Sequence, residues 1–268
     1  NSSWLKRAHQ RTRQIAALGK YEETSAIWSE VKQHFMRIQN NKCIYCEAKY
    51  ESAKINFDIE HYRPKGATKL WSHPRLAPAT PIRFNPNGYY LLAYNLQNYA
   101  ASCGHCNTDL KHDFFPIANN PVLTPSLYVS GYFSEEPYLL FPLGNQDQDN
   151  PEELITFEGV VPKANDKILS DQRKRLRAQI TILFFELDTR DGLAEARSDI
   201  ISQIFFLCDK IKNDPANKQM ALNKLRFLLS KSSSHTNCAR SFFRLCKSDF
   251  AKAQKLAEEA IDHIRRQK

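Results

Sequence analysis

Cys43-Ile-Tyr-Cys46 and Cys103-Gly-His-Cys106 are two Cys-x-x-Cys pairs, and Asp58-Ile-Glu60-His61 stands between them. Two residues between thiolates let a knuckle turn aim both sulfurs at one tetrahedral ion. Cys43, Cys46, Cys103 and Cys106 are therefore candidate ligands of a structural Zn²⁺. Glu60-His61 offers a different chemistry. A neutral imidazole can take a proton from water near pH 7, and the neighbouring carboxylate can give an oxygen to a divalent cation. Asn107 follows the last cysteine directly, and Lys111 stands at its i+4 position. Ser102 can cap a helix from Cys103 to about His112, which sets Cys103, Cys106 and Asn107 at i, i+3 and i+4. Such a helix binds zinc, offers an amide oxygen to a catalytic metal and brings a cation near a phosphate. Phosphodiester hydrolysis needs an activated water, charge stabilisation at phosphorus and help for the leaving oxygen.

The elements that must position these residues are short. Phe57 and Ile59 alternate with Asn56, Asp58 and Glu60, a strand pattern. On a regular strand Glu60 and His61 point to opposite faces, so they converge only where the strand ends or bends. Pro64 makes an ending there plausible. Asn98 suits pinning of the loop by hydrogen bonds to backbone. His34, His105 and His112 are expected to be ordinary polar residues, since four sulfurs already satisfy zinc. Short strands and a turn are expected from Cys43 to Asp58, and a loop from Gly66 to Gly88 that carries Lys69, Arg75 and Arg83. Gly88 to Tyr94 reads as a second strand or a short amphipathic segment.

Around this centre the pattern is helical. Ser3 to Asn40 reads as two helices broken at Gly19, with Ile27, Val31, Phe35 and Ile38 on one face. Pro116 to Pro142 is irregular, Asn145 to Asn150 is a polar turn, and Ile155 to Val161 reads as a small hairpin. Helices are expected near 166–187, 192–213, 215–231 and 237–266. The expected organisation is N-terminal helices over 1–42, a zinc-stapled core over 43–120, an irregular connector over 121–165 and a helical region over 166–268. The fold class is α+β and mostly helical.

At these residues the sequence resembles the HNH, or ββα-metal, endonucleases. Glu60-His61, Asn98 five residues before Cys103, the pair Cys103/Cys106, Asn107 and Lys111 fill that family's places. A closer resemblance is to the PtuB-type HNH nucleases of Septu and retron-associated anti-phage systems. Asp58-Ile-Glu-His-Tyr-Arg-Pro-Lys65, Cys106-Asn107, Lys111 and Phe115-Pro116 carry it. It is strong over 43–116, fair to about 197, and absent from 198–268. Tyr94-Asn-Leu-Gln-Asn98 departs from the Trp-containing run often found in such proteins.

The resemblance implies a ββα-metal core and cleavage of nucleic acid, DNA before RNA. Catalytic residues would be His61 as base with Glu60, Asn107 and Asn98. Glu60, Asn107 and Asp58 would hold Mg²⁺ or Mn²⁺, as an Asn in the last position suits a hard, oxygen-preferring ion. Arg63, Lys65 and Lys111 would contact phosphates. It also implies defence against phage and a partner ATPase of the PtuA type.

The whole chain permits this reading. At 268 residues it can bury a sizeable core, and its formal charge of +9 suits a polyanionic partner. Seven cysteines, an odd number, argue against a disulfide framework, and Cys208, Cys238 and Cys246 read as buried free thiols. No apolar run approaches the length of a membrane span and the first residues lack a signal-peptide apolar region, so a cytoplasmic location is expected. The chain does not start with Met, so native residues before Asn1 are expected. Two other classes remain open: a zinc-ribbon nucleic-acid-binding module without catalysis, and a scaffold subunit that holds a partner through its C-terminal helices.

Overall fold

A computed structural model describes residues 2–22, 26–50, 56–144 and 147–266. Asn145 and Gln146, within the expected polar turn, lie outside these residues, as do 51–55 of the expected strand-and-turn segment. The order opens with α1 (Ser2–Leu18), a 3₁₀ turn (Ile27–Val31) running into α2 (Lys32–Ile38), and β1 (Phe57–His61). β2 (Tyr99–Cys103) and a seven-residue helix of π geometry (His105–Lys111), here the site helix, come next. Then follow α3 (Pro151–Leu154), β3 (Ile155–Glu158), β4 (Val161–Ala164), α4 (Gln172–Phe184), α5 (Asp191–Asn213), α6 (Lys218–Leu228), α7 (Thr236–Ser248) and α8 (Phe250–Arg266). The chain is mostly helical, with β1–β2 and β3–β4 as two-stranded antiparallel sheets among the described residues.

Two apolar cores organise the chain. The first runs from Trp4 in α1 through β1, β2 and the cysteines to Leu193. The second lies among α5, α6, α7 and α8, and Phe157 of β3 packs against both. Ala253, Ala257 and Ala260 recur at helical spacing on α8 and are buried. Their small side chains let α8 lie close along α5. The expected terminal helix over 237–266 is two helices. Asp249 stops the first in an extended conformation, and its carboxylate accepts from Lys252 N at 2.9 Å to cap the second.

The second strand of the site sheet is also displaced from its expected place. Tyr90–Leu92 is a 3₁₀ turn, and the strand is Tyr99–Cys103. Cys103 therefore ends a strand and does not open the helix. Asn95 and Asn98 explain the shift. Asn95 caps the short turn before β2 by accepting from Gln97 N at 2.9 Å. Asn98 ties the end of that turn to Arg63, accepting from its N–H and donating to its carbonyl, each at 2.9 Å. The stretch from Cys43 to Tyr50 is a turn closed by a single bridge between Lys42 and Lys49.

The long segment between Pro64 and Tyr89 is pinched at its base. Tyr89 N donates to the Pro64 carbonyl at 2.9 Å. Gly88 has φ +64°, and a Cβ there would fall 1.9 Å from the Gly66 carbonyl oxygen, so only glycine fits. The pinch delivers Tyr94 and Ala93 back to the end of β1.

Candidate active site and metal centre

The cysteines meet as expected. Cys43, Cys46, Cys103 and Cys106 are all buried, and their sulfurs lie within 4.8 Å of one another. Cys46 and Cys103 Sγ are 3.8 Å apart. A tetrahedron with Zn–S bonds of about 2.3 Å has sulfur–sulfur edges of roughly 3.8 Å. The donor chemistry and spacing therefore fit a structural zinc. Cys103 N donates to Cys43 Sγ at 3.4 Å, a backbone donor that joins the two cysteine pairs and steadies that sulfur. Arg190, just before α5, donates to Cys106 Sγ at 3.4 Å. His34, His105 and His112 are exposed and stand outside the cluster.

β1 keeps its antiparallel register to the end, with Glu60 opposite Ala100 and His61 opposite Tyr99. The two side chains accordingly take different surroundings. The His61 ring lies between Trp28 and Tyr99, each edge-on with centroids 4.9 Å away. Its Nε2 is 3.0 Å from the Ala93 carbonyl. A carbonyl only accepts, so Nε2 carries the proton and Nδ1 holds the lone pair. Burial, helped by the charge of Lys65, pushes the imidazole down to about 3, so the ring is neutral. His61 is 7% exposed.

Glu60 is buried beside the first cysteine pair. Its Oε1 takes Lys111 Nζ at 2.6 Å and the Tyr45 hydroxyl at 3.3 Å, which leaves Oε2 as the oxygen without a protein donor among the described residues. Burial pushes the Glu60 carboxyl up and the Lys111 ammonium down, and their mutual pairing opposes both shifts. Asp58 is half-exposed and points to Lys32, 3.4 Å away. Asn107 is half-buried on the site helix, and its carbonyl accepts from His112 N at 2.8 Å.

The expected phosphate contacts divide. Lys111 is 1% exposed, donates to the His61 carbonyl at 2.9 Å and neutralises Glu60. Arg63 is fully buried, paired with Glu135 at 2.6 Å and enclosed by the rings of Tyr62, Tyr89, Phe115 and Tyr132. Neither presents a donor to an outside phosphate: each neutralises a buried carboxylate that would otherwise be costly. Lys65 alone of the three keeps its charge half-exposed and without a carboxylate partner among the described residues. It stands over the rings of Trp28 and Tyr21, at 5.0 and 5.2 Å. Asn98 holds the backbone of Arg63, the pinning role its side chain was expected to suit.

Trp28, Tyr45, the Ala93 carbonyl and Arg190 escaped the sequence reading. Tyr45 lies inside the first cysteine pair and carries the only local signal. Ala93 acts through backbone, which residue identity does not encode. Trp28 and Arg190 arrive from 33 and 84 residues away, measured to His61 and Cys106.

No family model matches the chain, and no solved structure matches it significantly. Two curated proteins do. Septu protein PtuB of Bacillus mycoides (strain KBAB4) is 29% identical over 176 residues, covering 65% of this chain and 52% of that protein. Septu protein PtuB of Bacillus thuringiensis is 27% identical over 112 residues, covering 39% of this chain and 35% of that protein. The chain thus spans about half the length of the first relative and about a third of the second. Through these matches the chain is similar in sequence to Septu protein PtuB over about two thirds of its length.

Proposed function

We propose that the chain is a metal-dependent HNH endonuclease that cleaves DNA within a Septu-type anti-phage defence system, beside an ATPase of the PtuA type. The homology to Septu protein PtuB supports the defence role. One observation carries the catalytic reading. His61 ends β1, is held by the Ala93 carbonyl through Nε2 and keeps an unprotonated Nδ1; Glu60, next to it in the strand, has its Oε1 taken by Lys111 and Tyr45. A base needs that tautomer before it needs anything else.

His61 Nδ1 takes the proton of the water that attacks the scissile phosphorus. Trp28 and Tyr99 fix the ring plane, and the Ala93 carbonyl stabilises the imidazolium that forms. Glu60 and Asn107 would hold Mg²⁺ or Mn²⁺ through oxygen, with Asp58 on the same strand face as Glu60; the ion supplies charge stabilisation at the phosphate and the leaving oxygen. The oxygen donors of these side chains would suit a hard cation. Of the three expected phosphate contacts, Lys65 is the one left to meet a phosphate.

The test is plasmid cleavage in Mg²⁺ or Mn²⁺, with and without the ATPase, by wild type and a folded, zinc-loaded His61→Ala. Cleavage is expected from the wild type and a loss of about 10²–10⁴-fold from the variant. Equal cleavage by both sinks the role of His61. A second reading, a zinc-stapled nucleic-acid-binding subunit without catalysis, draws on the 7% exposure of His61 and the pairing of Glu60 with Lys111. DNA binding that survives His61→Ala, with no cleavage by either protein when the ATPase is present, selects it.

A further inference from the structure

A cavity of about 400 Å³ lies away from His61, between the turn of the first cysteine pair, β3 and the start of α7. Apolar wall comes from Tyr45, Ile155 and Phe157, and charge from Arg197, Lys231, Lys42 and Arg240. Two of these cations are spoken for. Lys42 pairs with Glu47 at 3.1 Å and Arg240 with Glu152 at 2.6 Å. Lys231 is exposed at the rim and has no ion pair among the described residues.

Arg197 is the anomaly. It is 3% exposed and has no carboxylate partner among the described residues. Its Nη1 alone is committed, to the carbonyls of Leu187 at 2.6 Å and Val160 at 3.1 Å. Its Nε is buried and has no hydrogen-bond partner among the described residues. The Nε/Nη2 edge of a guanidinium is the edge that grips two oxygens of an oxyanion in parallel. An unpaired buried charge is expensive unless something completes it. The Arg197 guanidinium carbon also stands over the Phe157 ring, 5.0 Å from its centroid, against one cavity wall.

We propose that this cavity binds a small phosphorylated ligand of nucleotide size, with its phosphate on the unpaired edge of Arg197 and on Lys231. The volume is that of a small-molecule site, and the mix of apolar wall with a few converging charges is what such sites present. The cysteine cluster backs one wall. Its thiolates are a competing destination for the Arg197 charge, and the experiment separates the two.

Isothermal titration calorimetry of the zinc-loaded full chain with adenosine monophosphate, inorganic phosphate and acetate tests the proposal, with zinc content measured for each protein. Adenosine monophosphate is expected to bind wild type and His61→Ala alike. Arg197→Met is expected to weaken it by about 30-fold or more with zinc retained. Lys231→Met, a rim change that leaves the core alone, is expected to weaken it several-fold. Acetate is expected not to compete. No binding to wild type overturns the proposal, as does undiminished binding by Lys231→Met. Zinc loss in Arg197→Met together with unchanged affinity in Lys231→Met assigns Arg197 to the cysteine cluster and overturns it too. Inorganic phosphate that binds as tightly as the nucleotide removes the apolar part of the ligand and overturns the assigned class.

Discussion

At the residue scale, the centre is a set of buried charges that must be matched one to one. Lys111 is the partner of Glu60, so Lys111→Met leaves a carboxylate in the interior with only Tyr45 to hold it. We expect it to cost about 3–5 kcal/mol by urea denaturation, and the double variant with Glu60→Gln to recover much of that. A single-variant loss below 1 kcal/mol, roughly the worth of an exposed pair, shows instead that Lys111 is not needed by Glu60. The histidines set a pH dependence. Burial holds both His61 and His235 near about 3 in the folded chain. Unfolded, each takes a proton below about 6.5. The unfolded chain thus binds more protons as pH falls from about 6.5 toward 3, and stability falls with it, by up to ~1.4 kcal/mol per pH unit for each histidine. His235→Asn, measured by urea unfolding at pH 7, 6 and 5 with zinc present, should give a shallower slope than wild type. Parallel slopes rule out His235 as a contributor.

At the element scale, the turn after Cys46 caps a helix far along the chain. Glu47 has φ +58° and takes Asn237 N on its Oε2 at 3.1 Å, while its carbonyl accepts from His235 N at 3.3 Å. Lys42 braces the same carboxylate and donates to Thr236 Oγ1 at 2.9 Å. No side chain of the preceding residue caps α7, so Glu47 does that work from outside. Glu47→Ala is expected to destabilise the protein by about 0.5–2 kcal/mol. Hydrogen exchange should speed up first at the amides of residues 236–239. Exchange that changes equally across α5, α6 and α8 argues for general loosening and against a local cap.

At the scale of the whole molecule, the cysteine cluster joins what the sequence keeps apart. It ties the turn at 43–46 to the end of β2 and the site helix, Arg190 brings the start of α5 to it, and Glu47 carries the same turn to α7. Metal removal should therefore loosen both cores together. A structural zinc site supplies about 10 kcal/mol or more of binding free energy. We expect chelation, or Cys106→Ala, to lower the melting temperature sharply and to release α7, followed by circular dichroism beside metal analysis. Unchanged melting with the metal gone shows that packing alone holds the two cores. No helix among the described residues is long and apolar enough to cross a membrane.

The sequence by itself determined the cysteine pairs, the strand at Phe57–His61, the hairpin near 155–161 and the helical C-terminal region. Each is written in local spacing: two residues between thiolates, period two in a strand, three to four in a helix. It also marked Asn98 as a residue that holds backbone. Only the tertiary structure decided what the charged residues do. Arg63, Lys65 and Lys111 read alike as cations near a catalytic dyad, yet Arg63 and Lys111 fold inward onto Glu135 and Glu60 while Lys65 stays at the surface. Burial sets that outcome, and burial depends on residues such as Glu135 that lie 72 positions away from Arg63. The same holds for β2. Its place was settled by Asn95 and Asn98 satisfying backbone groups, a hydrogen-bond choice that apolar periodicity does not record.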